Sequence, residues 1–251
     1  MTGPLRYEWV RISTVRSTWA LVALGVLIPA AFALFVAWLA GNLGPEAGGP
    51  PEGVGNGSVV SAFLPLVAAV LCTIGAAAFG QEYRHGLIRI TLSTFPRRSA
   101  VFLAKAIMVA VFIVVAAALA IAAIVGADAL GSVIAGSSAN IDGGILGPAG
   151  VRALLYVVLF VLMAFSITAL TRNQPLGIIA PIVLAVIVEP IISTIAFVQE
   201  WTWIDWVLPF SGGAASVGLE GAEAWGHLGV FFLWFLALSI PAWILFEVRD
   251  A

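Results

Sequence analysis

The chain has 251 residues, of which 62% are hydrophobic and only 10% charged, with a formal net charge of −2. Soluble domains are about 45–50% apolar and about 25% charged, so these side chains do not suffice to cover a globular surface. A soluble enzyme, a nucleic-acid binder and a disordered chain are thereby excluded, and a mean hydropathy of +1.11 directs the apolar residues toward lipid.

Roughly six or seven spans of ~20 residues fit this length. Residues 5–18, LRYEWVRISTVRST, scatter Arg6, Arg11 and Arg16 among Leu5, Trp9, Val10, Ile12 and Val15. This pattern predicts a helix on the inner leaflet, apolar residues down and arginines toward anionic headgroups, anchored by Arg6, Trp9, Arg11 and Arg16. A plain basic flank that only sets topology is the other reading. The first span is expected at 19–40 and carries no charge. Its apolar run exceeds a signal-peptide core and no A-x-A site closes it, so it is expected to stay as an anchor. A Gly-rich connection without periodicity, 42–58, leads to an uncharged second span at 59–79 that holds Cys72.

Residues 80–100, GQEYRHGLIRITLSTFPRRSA, are too long for a plain turn. A short amphipathic helix is expected over 82–89, ended by Pro96, with Arg97, Arg98 and Lys105 at the mouth of a third span at 101–126. A second low-complexity connection, 127–150, precedes a fourth span at 151–170 with Arg152 at its edge. The fifth span, 176–198, contains Glu189 followed by Pro190. Residues 199–225 interleave Glu200, Trp201, Trp203, Asp205 and Trp206 before Pro209 and Phe210. Such a segment reads as an aromatic belt or as a short re-entrant helix pair plugging the outer end of a pathway. A sixth span is expected at 227–246.

Charge placement orients these spans. Ten of the 11 basic residues fall on the side of the N-terminus, and only Arg152 falls opposite. Glu46, Glu52, Asp128, Asp142, Glu200, Asp205, Glu220 and Glu223 all lie on the far side. The positive-inside rule therefore places both termini, including Arg249, in the cytoplasm.

Reactive constellations are scarce. The only Lys, Lys105, does not follow a Gly, so no P-loop is present. There is no H-E-x-x-H, C-x-x-C or G-x-S-x-G, and one Cys allows neither an intrachain disulfide nor a thiolate cluster. His85 and His227 lie on opposite sides, and Glu82 with His85 is only half of a dimetal motif, so no metal site and no catalytic residue is assigned. Glu189, the one acid inside a span, is either a protonated group hydrogen-bonded across helices or a polar point in a pathway or gate. Pro190 is placed with it as the source of a kink, and Cys72 as a candidate lining residue that also reads as packing.

Two segments resemble a known family. EWVRISTVRSTWALVAL, from Glu8, resembles the E-W-x-K-x-x-[ST]-x-R-S-T-W segment of ABC-2-type permeases of actinobacterial type. FGQEYRHGLIRITLSTFPRRSAVFLAK resembles their E-x-x-x-G-T-[IL]-x-x-L-x-x-P-x-[ST]-R-x-x-x-x-x-x-K signature, with Glu82, Gly86, Leu92, Pro96, Arg98 and Lys105 at its positions. Leu87 stands where Thr is usual, and Arg11 where Lys is usual. The resemblance implies an all-α integral membrane protein of six transmembrane helices, the ABC-2 or type V exporter-like permease, with an N-terminal interfacial helix and outer re-entrant helices. It also implies a dimer, homodimeric or built with a paralogue, served by two separate ATP-binding cassette ATPase subunits that hold ATP and Mg. The N-terminal helix and the second-to-third loop would dock the ATPase, assigning coupling to Glu82, Arg84, His85, Gly86, Arg97 and Arg98. The pathway would lie at the dimer interface, chiefly along the second and fifth spans.

The expected function is thus the permease subunit of an ABC exporter in a bacterial cytoplasmic membrane. Its cargo would be amphipathic or hydrophobic: a drug, an antibiotic or a lipid-like peptide. The alternative is a proton-coupled secondary transporter using Glu189, although no repeat relates the two halves. An intramembrane enzyme would need paired catalytic groups that the chain lacks.

Overall fold

The computed structural model describes residues 2–43, 56–95, 97–138 and 143–248. Glu46, Glu52, Pro96, Asp142, Arg249 and most of the first Gly-rich connection lie outside the described residues. Helices α1 (Thr2–Thr14), α2 (Arg16–Leu43), α3 (Asn56–Arg84), α4 (Ile88–Thr94) and α5 (Arg98–Ile134) are followed by α6 (Pro148–Thr171), α7 (Gln174–Val183), α8 (Glu189–Val198), α9 (Pro209–Ala215) and α10 (Gly221–Val248). Short 3₁₀ turns occupy Gly143–Leu146 and Ile204–Trp206, and a π turn, Leu184–Val188, joins α7 to α8. Among the described residues, six helical stretches are long and apolar enough to cross a membrane: α2, α3, α5, α6, the α7–α8 unit and α10.

The bundle centres on α6, where Tyr156, Phe160, Val161, Ala164 and Phe165 are fully or almost fully buried. A helix apolar all round belongs in such a position. Ser166 and Thr168 bond backward within the helix, to the Leu162 carbonyl at 2.8 Å and to that of Ala164 at 2.9 Å, while the buried Tyr156 hydroxyl has no partner among the described residues. Close approach by α3 depends on Gly75, where an added Cβ would stand 2.5 Å from the Val161 carbonyl oxygen. Small residues at such crossings are what permits tight packing where lipid supplies no hydrophobic drive between helices. At the periphery, the α7–α8 unit presents Ile179, Val186, Ile187, Ile191 and Ile195 outward.

Several sequence expectations are corrected. The N-terminal helix ends at Thr14, and Arg16 already opens the first span. The amphipathic helix expected at 82–89 is replaced by a break: α3 runs on to Arg84, Gly86 adopts φ +67°, and α4 starts at Ile88. A left-handed residue costs glycine nothing, and here it stops α3 and redirects the chain. The third span continues to Ile134, into the expected 127–150 connection, and 37 residues at about 1.5 Å each give a helix of roughly 55 Å. In the fifth span the irregularity precedes Pro190, which takes the first turn of α8, where a missing N–H is tolerated.

The helix ends are tied down. Trp19 Nε1 donates to the Ser13 carbonyl at 2.8 Å across the α1–α2 turn. Asn173 caps α7 by accepting from the Leu176 amide at 3.1 Å, after Arg172 has closed α6 at φ 56°. Arg98 Nη1 reaches the Glu247 carbonyl at 3.2 Å, joining the start of α5 to the end of α10.

Gly75→Ala is expected to lower stability by about 1–3 kcal/mol, since the added methyl meets backbone that cannot yield. Gly126→Ala, with nothing within 4 Å of the new Cβ, is expected to be neutral or slightly stabilising. Thermal unfolding of the purified chain in detergent compares the two.

Candidate functional site

The ammonium of Lys105 lies two turns inside α5 and is completely buried, with 0% exposure. A buried cation requires compensating acceptors. Lys105 has three donors and finds three acceptors: Glu8 Oε1 at 2.6 Å, Glu82 Oε1 at 2.5 Å and the Ala78 carbonyl at 3.2 Å. Arg11 closes the cluster, with Nη2 2.7 Å from Glu8 Oε2 and Nη1 3.1 Å from Glu82 Oε1. Two carboxylates and two cations balance. Glu8 and Arg11 come from α1, Ala78 and Glu82 from α3, and Lys105 from α5, so charge fixes α1 to the bundle together with the buried Ile12. The Phe79 ring, 5.5 Å from the ammonium, leads into an aromatic cluster with Tyr83, Phe102, Phe165 and Phe246.

This geometry revises the roles expected at the basic end. Glu82 is buried in the cluster and does not project from the loop; it pairs with Lys105 and Arg11. Arg11 faces the carboxylates and not the headgroup layer, while Arg6, Trp9 and Arg16 remain exposed. Arg84, His85, Gly86 and Arg97 are exposed, and His85 Nδ1 lies 2.8 Å from the Gln81 carbonyl. The Tyr7 and Phe95 rings, 6.4 Å apart, bring α1 and the end of α4 into one surface. Glu8 went unassigned in the sequence. The signal was available: a Lys seven residues into an apolar helix needs a carboxylate, and Glu8, Glu82, Glu247 and Asp250 are the only acids on that side.

At the opposite end, Glu189 is also buried, at 3% exposure. Its oxygens accept from the Phe210 amide at 3.1 Å and the Ser211 amide at 2.6 Å, in the first turn of α9. Arg152, the one basic residue on the far side and so a candidate partner for Glu189, instead grips the other end of the same helix: Nε donates to the Ser216 carbonyl at 2.7 Å and Nη2 to that of Leu219 at 2.8 Å. No ion pair joins the two among the described residues; they share α9 instead. A carboxyl at the amide end and a guanidinium at the carbonyl end suit the direction of the peptide dipoles. Below α9, Phe210 packs with Phe160 and Phe231, and Trp206 stacks on His227 at 4.2 Å. Each Glu189 oxygen is thus engaged by one backbone amide.

Of the residues expected along a pathway, Pro190 lies in an open apolar groove of about 410 Å³ with Val186, Ile187, Ile191, Thr194 and Ile195. A neighbouring groove of about 790 Å³ runs past Phe197 to Trp201 and Asp205. Cys72 lines neither; it is fully buried, and its thiol donates to the Ala69 carbonyl at 3.1 Å.

Residues 5–190 match the family described as ABC-2 family transporter protein. The chain belongs to this family. It is a multi-pass membrane protein and the permease component of an ABC transporter, a family that works in association with ABC ATPases. No curated protein matches the chain. The family match takes in the whole Lys105 cluster and ends just after Glu189, so α9 and α10 lie beyond it.

Lys105→Met in this ABC-2 permease leaves two buried carboxylates with one guanidinium. Removal of one partner from such a cluster costs about 3–5 kcal/mol. The Glu82→Gln/Lys105→Met double variant, with Glu8 and Arg11 still paired, is expected to recover most of that loss. The measurement is thermal unfolding together with protease resistance of α1; a double variant no better than the single one contradicts an electrostatic role.

Proposed function

We propose that this chain is one of two permease subunits of an ATP-driven exporter in a bacterial cytoplasmic membrane, with its basic end and both termini in the cytoplasm. Two ATP-binding cassette ATPase subunits hold ATP and Mg, and the second permease is another copy or a paralogue. The cargo is amphipathic or hydrophobic, of the drug, antibiotic or lipid-like peptide kind, and moves along a path walled by α3 and the α7–α8 unit. The exposed isoleucines and valines of that unit suit such a cargo and such a partner.

The observation that carries this reading is the Lys105 cluster. It joins α1 to α3 and α5 directly beside the exposed residues Arg84, Arg89 and Arg97. A soluble partner pressing on α1 and on the α3–α4–α5 connection would therefore move two spans, not a loop. Glu82 contributes to coupling by holding α1 in place, while Arg84, His85, Gly86, Arg97 and Arg98 form or shape the surface that the partner meets. Exposed charges at such a rim set association more than stability.

The test is recovery of the tagged chain from its native membranes in mild detergent. An ABC ATPase is expected to co-purify, and the separated permease is expected to hydrolyse no ATP. Arg84→Glu/Arg89→Glu is expected to reduce ATPase recovery roughly tenfold without loss of membrane insertion. Hydrolysis by the pure permease, or full recovery with the reversed charges, overturns the assignment.

A further inference from the structure

The π turn, Glu189, α9 and Arg152 form a continuous chain of contacts. The Glu189 amide closes the π turn on the Leu184 carbonyl, five residues back. Pro190 has no amide to offer the preceding carbonyls of Ala185 and Val186. None of the five residues of the π turn is buried, and only Glu189 and Ala196 are buried in α8. The outer half of this span is thus held to the protein mainly by the Glu189 carboxyl. Arg152, by contrast, projects from α6, the most buried helix of the bundle.

We propose that Glu189 and Arg152 are positioning residues for transport, forming a latch and a fixed pivot for α9, with the π turn as the element that releases the latch. A π turn holds one residue more than the α-helical turn it replaces. In the present register that extra residue points Glu189 at the Phe210 and Ser211 amides. Reverting to α-helical bonding exchanges the Leu184 carbonyl for that of Ala185 as acceptor for the Glu189 amide, so no backbone bond is lost. It turns α8 by about one residue, roughly 100°, and withdraws the carboxyl from α9. Arg152 keeps its hold on the Ser216 and Leu219 carbonyls, so α9 swings from that end and opens the mouth beside the Pro190 groove. Gly213 lets α9 lie close on its neighbours, where a Cβ would meet Phe231 at 2.9 Å and Tyr156 at 3.0 Å, and the swing draws Phe210 out of its contacts with Phe160 and Phe231.

The role in transport rests on the permease reading, but the latch itself is tested without it, by amide hydrogen exchange on the full chain in lipid nanodiscs. Glu189→Ala is expected to speed exchange at Phe210 and Ser211 by roughly tenfold or more, the scale of a lost buried hydrogen bond, with α6 unchanged. Arg152→Met is expected to loosen 216–219 instead. Deletion of Ala185 removes the extra residue and leaves a regular helix with Glu189 still seated. Loss of an open state populated at about 1–10% then slows exchange at the same two amides about tenfold or more. Glu189→Gln keeps one acceptor and presents an NH₂ to the other amide, so it is expected to accelerate only one of the two, which decides the matter if the alanine variant does not fold. Unchanged exchange in the Glu189 variants overturns the latch; unchanged or faster exchange after the Ala185 deletion overturns the π turn as its release. Absence of any co-purifying ATPase would count against the exporter reading alone.

Discussion

A single ammonium group organises the basic end of this molecule. Lys105 sits where neither water nor headgroups reach it, and it is tolerable there only because three acceptors from two other helices converge on it. That requirement gives α1 a definite position. With Tyr7, Trp9 and Val10 exposed, Ile12 is the one apolar side chain that α1 buries among the described residues. With Glu8 bound to Lys105 and Arg11 bound to both carboxylates, sliding or turning would strand charge in an apolar interior. The cluster therefore links the N-terminal helix to α3 and α5, and it is the mechanical premise of the proposed coupling.

The opposite end answers a different constraint. Backbone that is not part of a long helix must find partners close to the hydrocarbon layer. Between α8 and α10 the chain makes a 3₁₀ turn and the seven-residue α9, and elements this short leave most of their terminal amides and carbonyls unpaired. Side chains from the spans supply what is missing: Glu189 for two amides, Arg152 for two carbonyls, and Trp234 for the Val207 carbonyl at 3.1 Å. The two ionisable residues at this end thus serve one small helix. Their partners are backbone groups and not each other.

The two ends differ in how firmly they are held. At the basic end three helices converge on one group, with aromatic rings packed beneath. At the other, the α8 half of the fifth span touches the protein through little more than Glu189 and Ala196. Local stability follows buried contacts; the α7–α8 unit, beside the open grooves, has few of them, while α9 is seated through Phe210 and Ala214 on the frame formed by α6 and its neighbours.

Composition and hydropathy alone determined the six spans, because a run of apolar residues long enough to cross a bilayer has few other uses, and the basic bias along the chain was equally plain. The segments resembling ABC-2 permeases were legible because they are local strings. What only the tertiary structure decided is where the ionisable residues go. Lys105 and Glu82 are 23 positions apart, and Glu8 is 97 from Lys105, so helix periodicity says nothing of their meeting. The same holds for Glu189 and the amides 21 and 22 positions on. A charge in an apolar span announces in sequence that it needs a partner; which of the few available groups satisfies it depends on the helix packing that brings them within about 3 Å, the reach of a hydrogen bond.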